Sequence, residues 1–221
     1  MLENVDSGLN ERLKGAEETL QLIKTMRDQG NTANPLFKTM KGMLFVPLYA
    51  SLEYVLTSCA SQYLEALNQD PKDISCYKNN LYPVFMDDSF NRLRNCGNKN
   101  VWAARGEIVS TIYSTDPIIA DSSVMPGGTL NVNIKVLNDI WDFFCLQGQP
   151  LPEGFDSLNI GTLKDNRNAI AHGRRSASDV GSAYEVSNLE NRFSDTQKLC
   201  FHILQSFIDC LEAKHYLKQP T

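Results

Sequence analysis

Toward the end of the chain Leu189, Phe193, Leu199, Cys200, Ile203, Leu204, Phe207, Ile208 and Leu211 all fall on one side of a helix. Apolar residues keep this spacing through most of the 221-residue sequence, and runs of strict apolar/polar alternation are nearly absent. A chain patterned this way folds as an all-α protein, here a helical bundle with a long C-terminal helix. Ser187-Asn188-Leu189-Glu190 has the form of a capping box and is expected to open that last helix, which should run to about residue 217.

The rest of the sequence divides by its breakers. A first helix is expected over about 8–29, with Leu9, Leu13, Leu20, Leu22 and Ile23, ending at Gly30 and the run Asn31-Thr32-Ala33-Asn34-Pro35. A second, over 36–68, is apolar nearly all round its middle, which is how a central buried helix reads; Pro47 either kinks it or marks its true start. Shorter pieces are expected near 72–80 and 87–95, and a further helix over 101–114. Residues 115–131 hold Asp116-Pro117 and Pro126-Gly127-Gly128 and read as a surface loop with room for a short hairpin. Helical spacing returns from Asn133 to Phe144 and stops at Gly148-Gln149-Pro150. Thr162-Leu163-Lys164-Asp165 has capping-box spacing and should open a short helix that ends at Gly173. Trp102 and Trp141 read as core anchors.

Composition narrows the function classes. With 42% hydrophobic and 21% charged residues the chain is no disordered segment, and its six scattered cysteines make no disulfide scaffold and no zinc spacing. The acidic start lacks an apolar signal region, and no long uncharged apolar run is present, so a cytoplasmic protein without a membrane span is expected. A formal charge of -5 argues against a general nucleic-acid coat. Distribution matters more: Arg92, Arg94, Lys99 and Arg105 lie in 89–105 without an acidic residue, and Lys164, Arg167, Arg174 and Arg175 face only Asp165 in 161–177. Such stretches fit a local phosphate site or a solvated face.

The second stretch carries the most chemistry. From Arg167 to Arg175 it places an Arg, an Asn, a His and two further Arg at a helix end. Asn168 and His172, four apart, share a helical face, and His172 sits where the negative end of the helix dipole favours an imidazolium. An imidazole titrates within reach of neutral pH and moves protons, while the planar guanidinium of Arg167 suits a phosphate. A plainer reading also fits the spacing: a His-Gly helix end, with Arg167 paired to a nearby carboxylate. Asp87-Asp88 and Asp139 with Asp142 could ligate magnesium or simply cap helices, and His202 and His215 read as structural. There is no GxxxxGK[ST] loop, no GxGxxG and no GxSxG.

Arg167-Asn168-Ala169-Ile170-Ala171-His172 resembles the R-N-x-x-x-H form of the signature of the HEPN superfamily. The stretch Gly128 to Leu137, the aromatic helix after it and the helix holding Leu48, Tyr49, Leu52, Glu53 and Tyr54 resemble the RiboL-PSP type. The resemblance implies an N-terminal helical extension over 1–35 and a HEPN-like helical domain over 36–221. It further implies a homodimer through the motif-bearing helices, with two copies of Arg167 and His172 facing one cleft, and a metal-independent endoribonuclease of toxin or anti-phage type. The alternative is a non-catalytic dimeric module that binds RNA, nucleotide or a partner protein. In the nuclease reading His172 moves protons, Arg167 clamps the phosphate and Asn168 orients the His or a substrate oxygen. Lys164, Arg174 and Arg175 contact flanking RNA phosphates, or are only solvated. Asp165 either caps the helix or orients Arg167. Glu53, costly inside so apolar a helix, either pairs with Arg167 or His172 or faces solvent. No cofactor or metal is expected; the partners implied are RNA and, for control, an antitoxin or sensor protein.

Overall fold

In the computed structural model, which describes residues 2–126 and 131–219, α1 (Glu3–Asp28) turns Val5, Leu9, Leu13, Ala16, Leu20, Ile23 and Met26 inward at steps of three and four. It starts earlier than the sequence reading because Leu2 and Val5 extend the same apolar stripe. Gly30, at a φ of 75°, ends it in the left-handed turn that only glycine enters freely. The side chain of Asn34 then accepts the Leu36 N–H and opens α2 (Pro35–Met43). α3 (Phe45–Asn68) follows after a single residue, Leu44. The segment read as one helix over 36–68 is thus two, because Pro47 has no N–H for the carbonyl of Met43 and its ring crowds that group. By length and composition Pro35–Asn68 is apolar enough to cross a membrane, but α3 buries its apolar residues against α1 and α10 (Val186–Glu212).

A side arm leaves the bundle after α3. It holds α4 (Tyr82–Phe85), α5 (Asp87–Asn95) and α6 (Val101–Ile112), with Arg92 of α5 paired to Glu107 of α6 at 2.6 Å. α6 buries only Ala104, so Trp102 stands 77% exposed instead of anchoring the core. The periodicity of α6 was helical, but its apolar residues outnumber the surface available to cover them. Among the described residues of 115–131 no strand forms, only an isolated bridge from Asp73 to Pro117; Gly127, Gly128, Thr129 and Leu130 lie outside the described residues. α7 (Ile134–Phe143) is opened by the Asn133 side chain, which accepts the Val136 N–H at 3.1 Å, and it buries Trp141 as expected.

α8 (Leu158–Ala171) begins four residues before Thr162, whose hydroxyl donates to the Leu158 carbonyl at 2.9 Å. The expected capping box at Thr162 and Asp165 is therefore helix interior, while the expected stop holds: Gly173 takes a φ of 67°. α9 (Ala177–Ser182), not foreseen, is opened by a capping box of Ser176 and Asp179. The cap of α10 is Glu185 with Asn188, two residues ahead of the expected one, and α10 ends at Glu212, short of 217. Beyond it His215 returns its N–H to the Cys210 carbonyl. The core centres on Tyr63 of α3, whose ring meets Phe144 and Phe207 edge-on at 5.3 and 5.6 Å and whose hydroxyl donates to the Phe144 carbonyl at 3.0 Å.

Candidate functional site

α8 packs against α3 and buries Leu163, Asn166 and Ala169, which sets the direction of the motif residues. Arg167, at the edge of that face, leans over α3. One guanidinium nitrogen lies 3.4 Å from Glu53 Oε2, another donates to Asn168 Oδ1 at 2.9 Å, and the carbon between them sits 5.3 Å from the centre of the Tyr49 ring. The alternative left open for Glu53 is thereby resolved toward Arg167. Asn168 Nδ2 donates in turn to Asn131 Oδ1 at 3.3 Å, and the Tyr49 hydroxyl accepts the neighbouring Val132 N–H at 2.9 Å.

His172 lies at the end of α8, one turn beyond Asn168, to whose carbonyl it gives its backbone N–H at 3.0 Å. Its imidazole is exposed and has no hydrogen-bond partner among the described residues. The turn closes through Gly173 and through the Arg175 N–H, which reaches the Ala169 carbonyl at 3.1 Å. Among the described residues no hydrogen bond joins Arg167 to His172.

Burial raises the Glu53 carboxyl above the usual carboxylate range, while the Arg167 guanidinium and the Tyr49 hydroxyl pull it back. Burial likewise raises the Tyr49 hydroxyl. Glu53 is thus a carboxylate that depends on its cation. Arg167 keeps donors not used by Glu53 or Asn168, which is what a group poised for an incoming oxyanion requires.

Among the described residues the other expected side chains make no hydrogen bond or ion pair with this cluster. Asp165 is exposed and lies 3.7 Å from Lys164 Nζ; it neither caps α8 nor reaches Arg167. Arg174 is exposed, whereas Arg175 donates to the Asp179 carbonyl of α9 at 3.1 Å. Asp139 pairs with Lys135 at 2.7 Å and Asp87 accepts from Asn91 at 2.7 Å. His202 stacks on Trp141 at 5.7 Å and bonds the Gln149 carbonyl. Among the described residues no group of three or more His, Cys, Asp or Glu is placed to hold a metal ion.

Three participants escaped the sequence reading as site residues. Tyr49 stands four before Glu53 on α3, so its place on the same face could have been read from spacing. Asn131 comes from a loop with no periodic signal. Asn166, next to Arg167, donates to the Tyr184 hydroxyl at 2.8 Å and so ties α8 to the segment between α9 and α10.

The family model described as RiboL-PSP-HEPN matches residues 10–213, nearly the whole chain and all of this cluster. No curated protein and no solved structure gives a significant match.

Proposed function

The chain belongs to the RiboL-PSP-HEPN family, within a superfamily of nuclease-related and RNA-related helical modules, and from that premise we propose that it is an endoribonuclease of toxin or anti-phage type. It cleaves RNA without a metal: the ribose 2'-hydroxyl attacks the adjacent phosphodiester, the P–O5' bond breaks, and a 2',3'-cyclic phosphate and a 5'-hydroxyl are left. The observation that carries this reading is that the last two turns of α8 hold both a guanidinium pinned by Glu53 and Asn168, that of Arg167, and the exposed imidazole of His172, which has no hydrogen-bond partner among the described residues.

Arg167 offsets charge on the phosphorane, and Asn168 holds the guanidinium by the terminal nitrogen that Glu53 does not engage. Moving one proton off the 2'-hydroxyl and another onto the 5'-oxygen takes two groups, and one chain brings one motif imidazole. A two-fold pairing through α8 supplies the second. Exposed Leu158 at the start of α8, over a shallow groove with Ile134, Ile160 and Gly161, gives that pairing an apolar contact surface.

The test is incubation of mixed RNA with the wild-type protein, His172→Ala and Arg167→Ala in EDTA. Cleavage with cyclic-phosphate ends by the wild type alone is expected. Equal cleavage by a folded His172→Ala protein would reject the mechanism, and RNA binding without cleavage by the wild type would favour the non-catalytic module, to which the undirected His172 ring also fits.

A further inference from the structure

A cavity of about 600 Å³ opens between the end of α1, α2 and the start of α10, and none of Arg167, Asn168 and His172 lines it. Arg27, Lys38 and Lys41 bring three cations to its wall, and Glu185 brings the single carboxylate. That carboxylate is engaged in capping the first turn of α10. Arg27 is partly spoken for by Asp28, 2.9 Å away, but Lys38 and Lys41 have no ion pair among the described residues.

Lys41 is the unusual member. Only 6% of it is exposed, and what meets its ammonium is neutral: the Tyr184 carbonyl, which accepts one hydrogen bond, and the Phe37 ring at 5.0 Å. An ammonium has three donors, and one buried without a counter-charge is costly. The surrounding wall holds it there. A Cβ on Gly42 would stand 1.9 Å from the Ala177 carbonyl oxygen, and one on Gly181 1.9 Å from that of Lys38, so α2 and α9 meet backbone to backbone. The same cavity takes in Val186 and Ser187, the first two residues of the 27-residue α10, whose N–H groups have no acceptor within the helix.

We propose that this cavity binds a small phosphorylated molecule, its phosphate seated between Lys41, Lys38 and the start of α10. Several positive groups against one occupied carboxylate favour a doubly charged phosphate over a carboxylate. The volume exceeds what inorganic phosphate fills and is of the size that holds a mononucleotide. The proposal does not rest on the nuclease reading, since none of Arg167, Asn168 and His172 lines the cavity; Tyr184 links the two regions, its carbonyl accepting from Lys41 and its hydroxyl from Asn166.

Inorganic phosphate and AMP serve as probes, each titrated by calorimetry and by thermal unfolding against sodium chloride of equal ionic strength. Saturable one-to-one binding is expected, with a melting temperature rise of about 3 °C well above the dissociation constant. Lys38→Ala should weaken binding about tenfold. Ser187→Asp keeps the helix start favourable yet puts a negative charge in the anion's place, and it should abolish binding in a folded protein. Lys41→Met should abolish it too; should that variant fail to fold, the other two decide. An equal rise in chloride, no saturable binding of either probe, or wild-type binding by both Lys38→Ala and Ser187→Asp would overturn the proposal.

Discussion

Replacing Arg167 with Met removes the counter-charge of Glu53 while keeping most of the packing over Tyr49. The pair is neither exposed nor deeply buried: the two side chains keep 32% and 21% of their accessibility, and the closest approach is 3.4 Å. Exposed pairs contribute about 0 to 1 kcal/mol and the loss of one buried partner costs about 3 to 5 kcal/mol, so an intermediate cost near 1.5 kcal/mol is expected. For a chain of 221 residues that lowers the melting temperature by about 3 to 6 °C. The cost arises from the stranded carboxylate, so Arg167→Met placed on Glu53→Gln should cost much less, which a double-mutant cycle reads as coupling.

The pH dependence carries the same signature. Burial holds the folded-state pKa of Glu53 above its unfolded value. The stability linked to this group is therefore fully present below the unfolded pKa and is lost as pH rises through the folded one. Without Arg167 the folded pKa climbs further, so acidification from pH 7 to pH 5 should recover more stability in Arg167→Met than in the wild type, and none of that extra gain in the double variant. Thermal unfolding of the four proteins at the two pH values measures this. An Arg167→Met cost that is the same with Glu53 and with Gln at that position would refute the reasoning.

Gly42→Ala should destabilise by about 3 kcal/mol or more, because its new methyl meets the backbone of Ala177, whereas Gly15→Ala, with open space around it, should stabilise α1 by about 1 kcal/mol; denaturant unfolding distinguishes the two signs. Leu158→Glu should convert the proposed dimer to a monomer in analytical ultracentrifugation and lower RNA cleavage at least tenfold with unchanged helicity. Asn168→Ala frees the guanidinium on one side and should reduce cleavage less than Arg167→Ala does, with the loss in the rate at saturating RNA.

Periodicity made the bundle legible, because a helix that buries one face must repeat apolar residues near 3.6, and α1, α3, α7 and α10 each do. Boundaries were less legible where side-chain chemistry competes. Thr162 looks like a cap by spacing, but a threonine hydroxyl also bonds the carbonyl four residues back within a helix, and here it does. Ser176 and Asp179 offered an equally valid cap signal for α9, too short a helix to show periodicity. Trp102 was misplaced because large apolar side chains are assumed to be covered, and α6 has too few neighbours to cover it. In the site, the Arg167 partner on α3 could be anticipated from the cost of Glu53 in an apolar helix. The contact of Asn168 with Asn131 could not, since it depends on where a loop without pattern comes to rest.

In the proposed reaction the nucleophile is the 2'-hydroxyl, acting under the control of α8. An RNA oligonucleotide carrying one mapped cleavage site is to be compared with the same strand bearing 2'-deoxyribose at that single position, in EDTA. Loss of cleavage at the deoxy linkage, with binding retained, is predicted; scission that continues there, or that persists at the ribose linkage in folded His172→Ala protein, would contradict it.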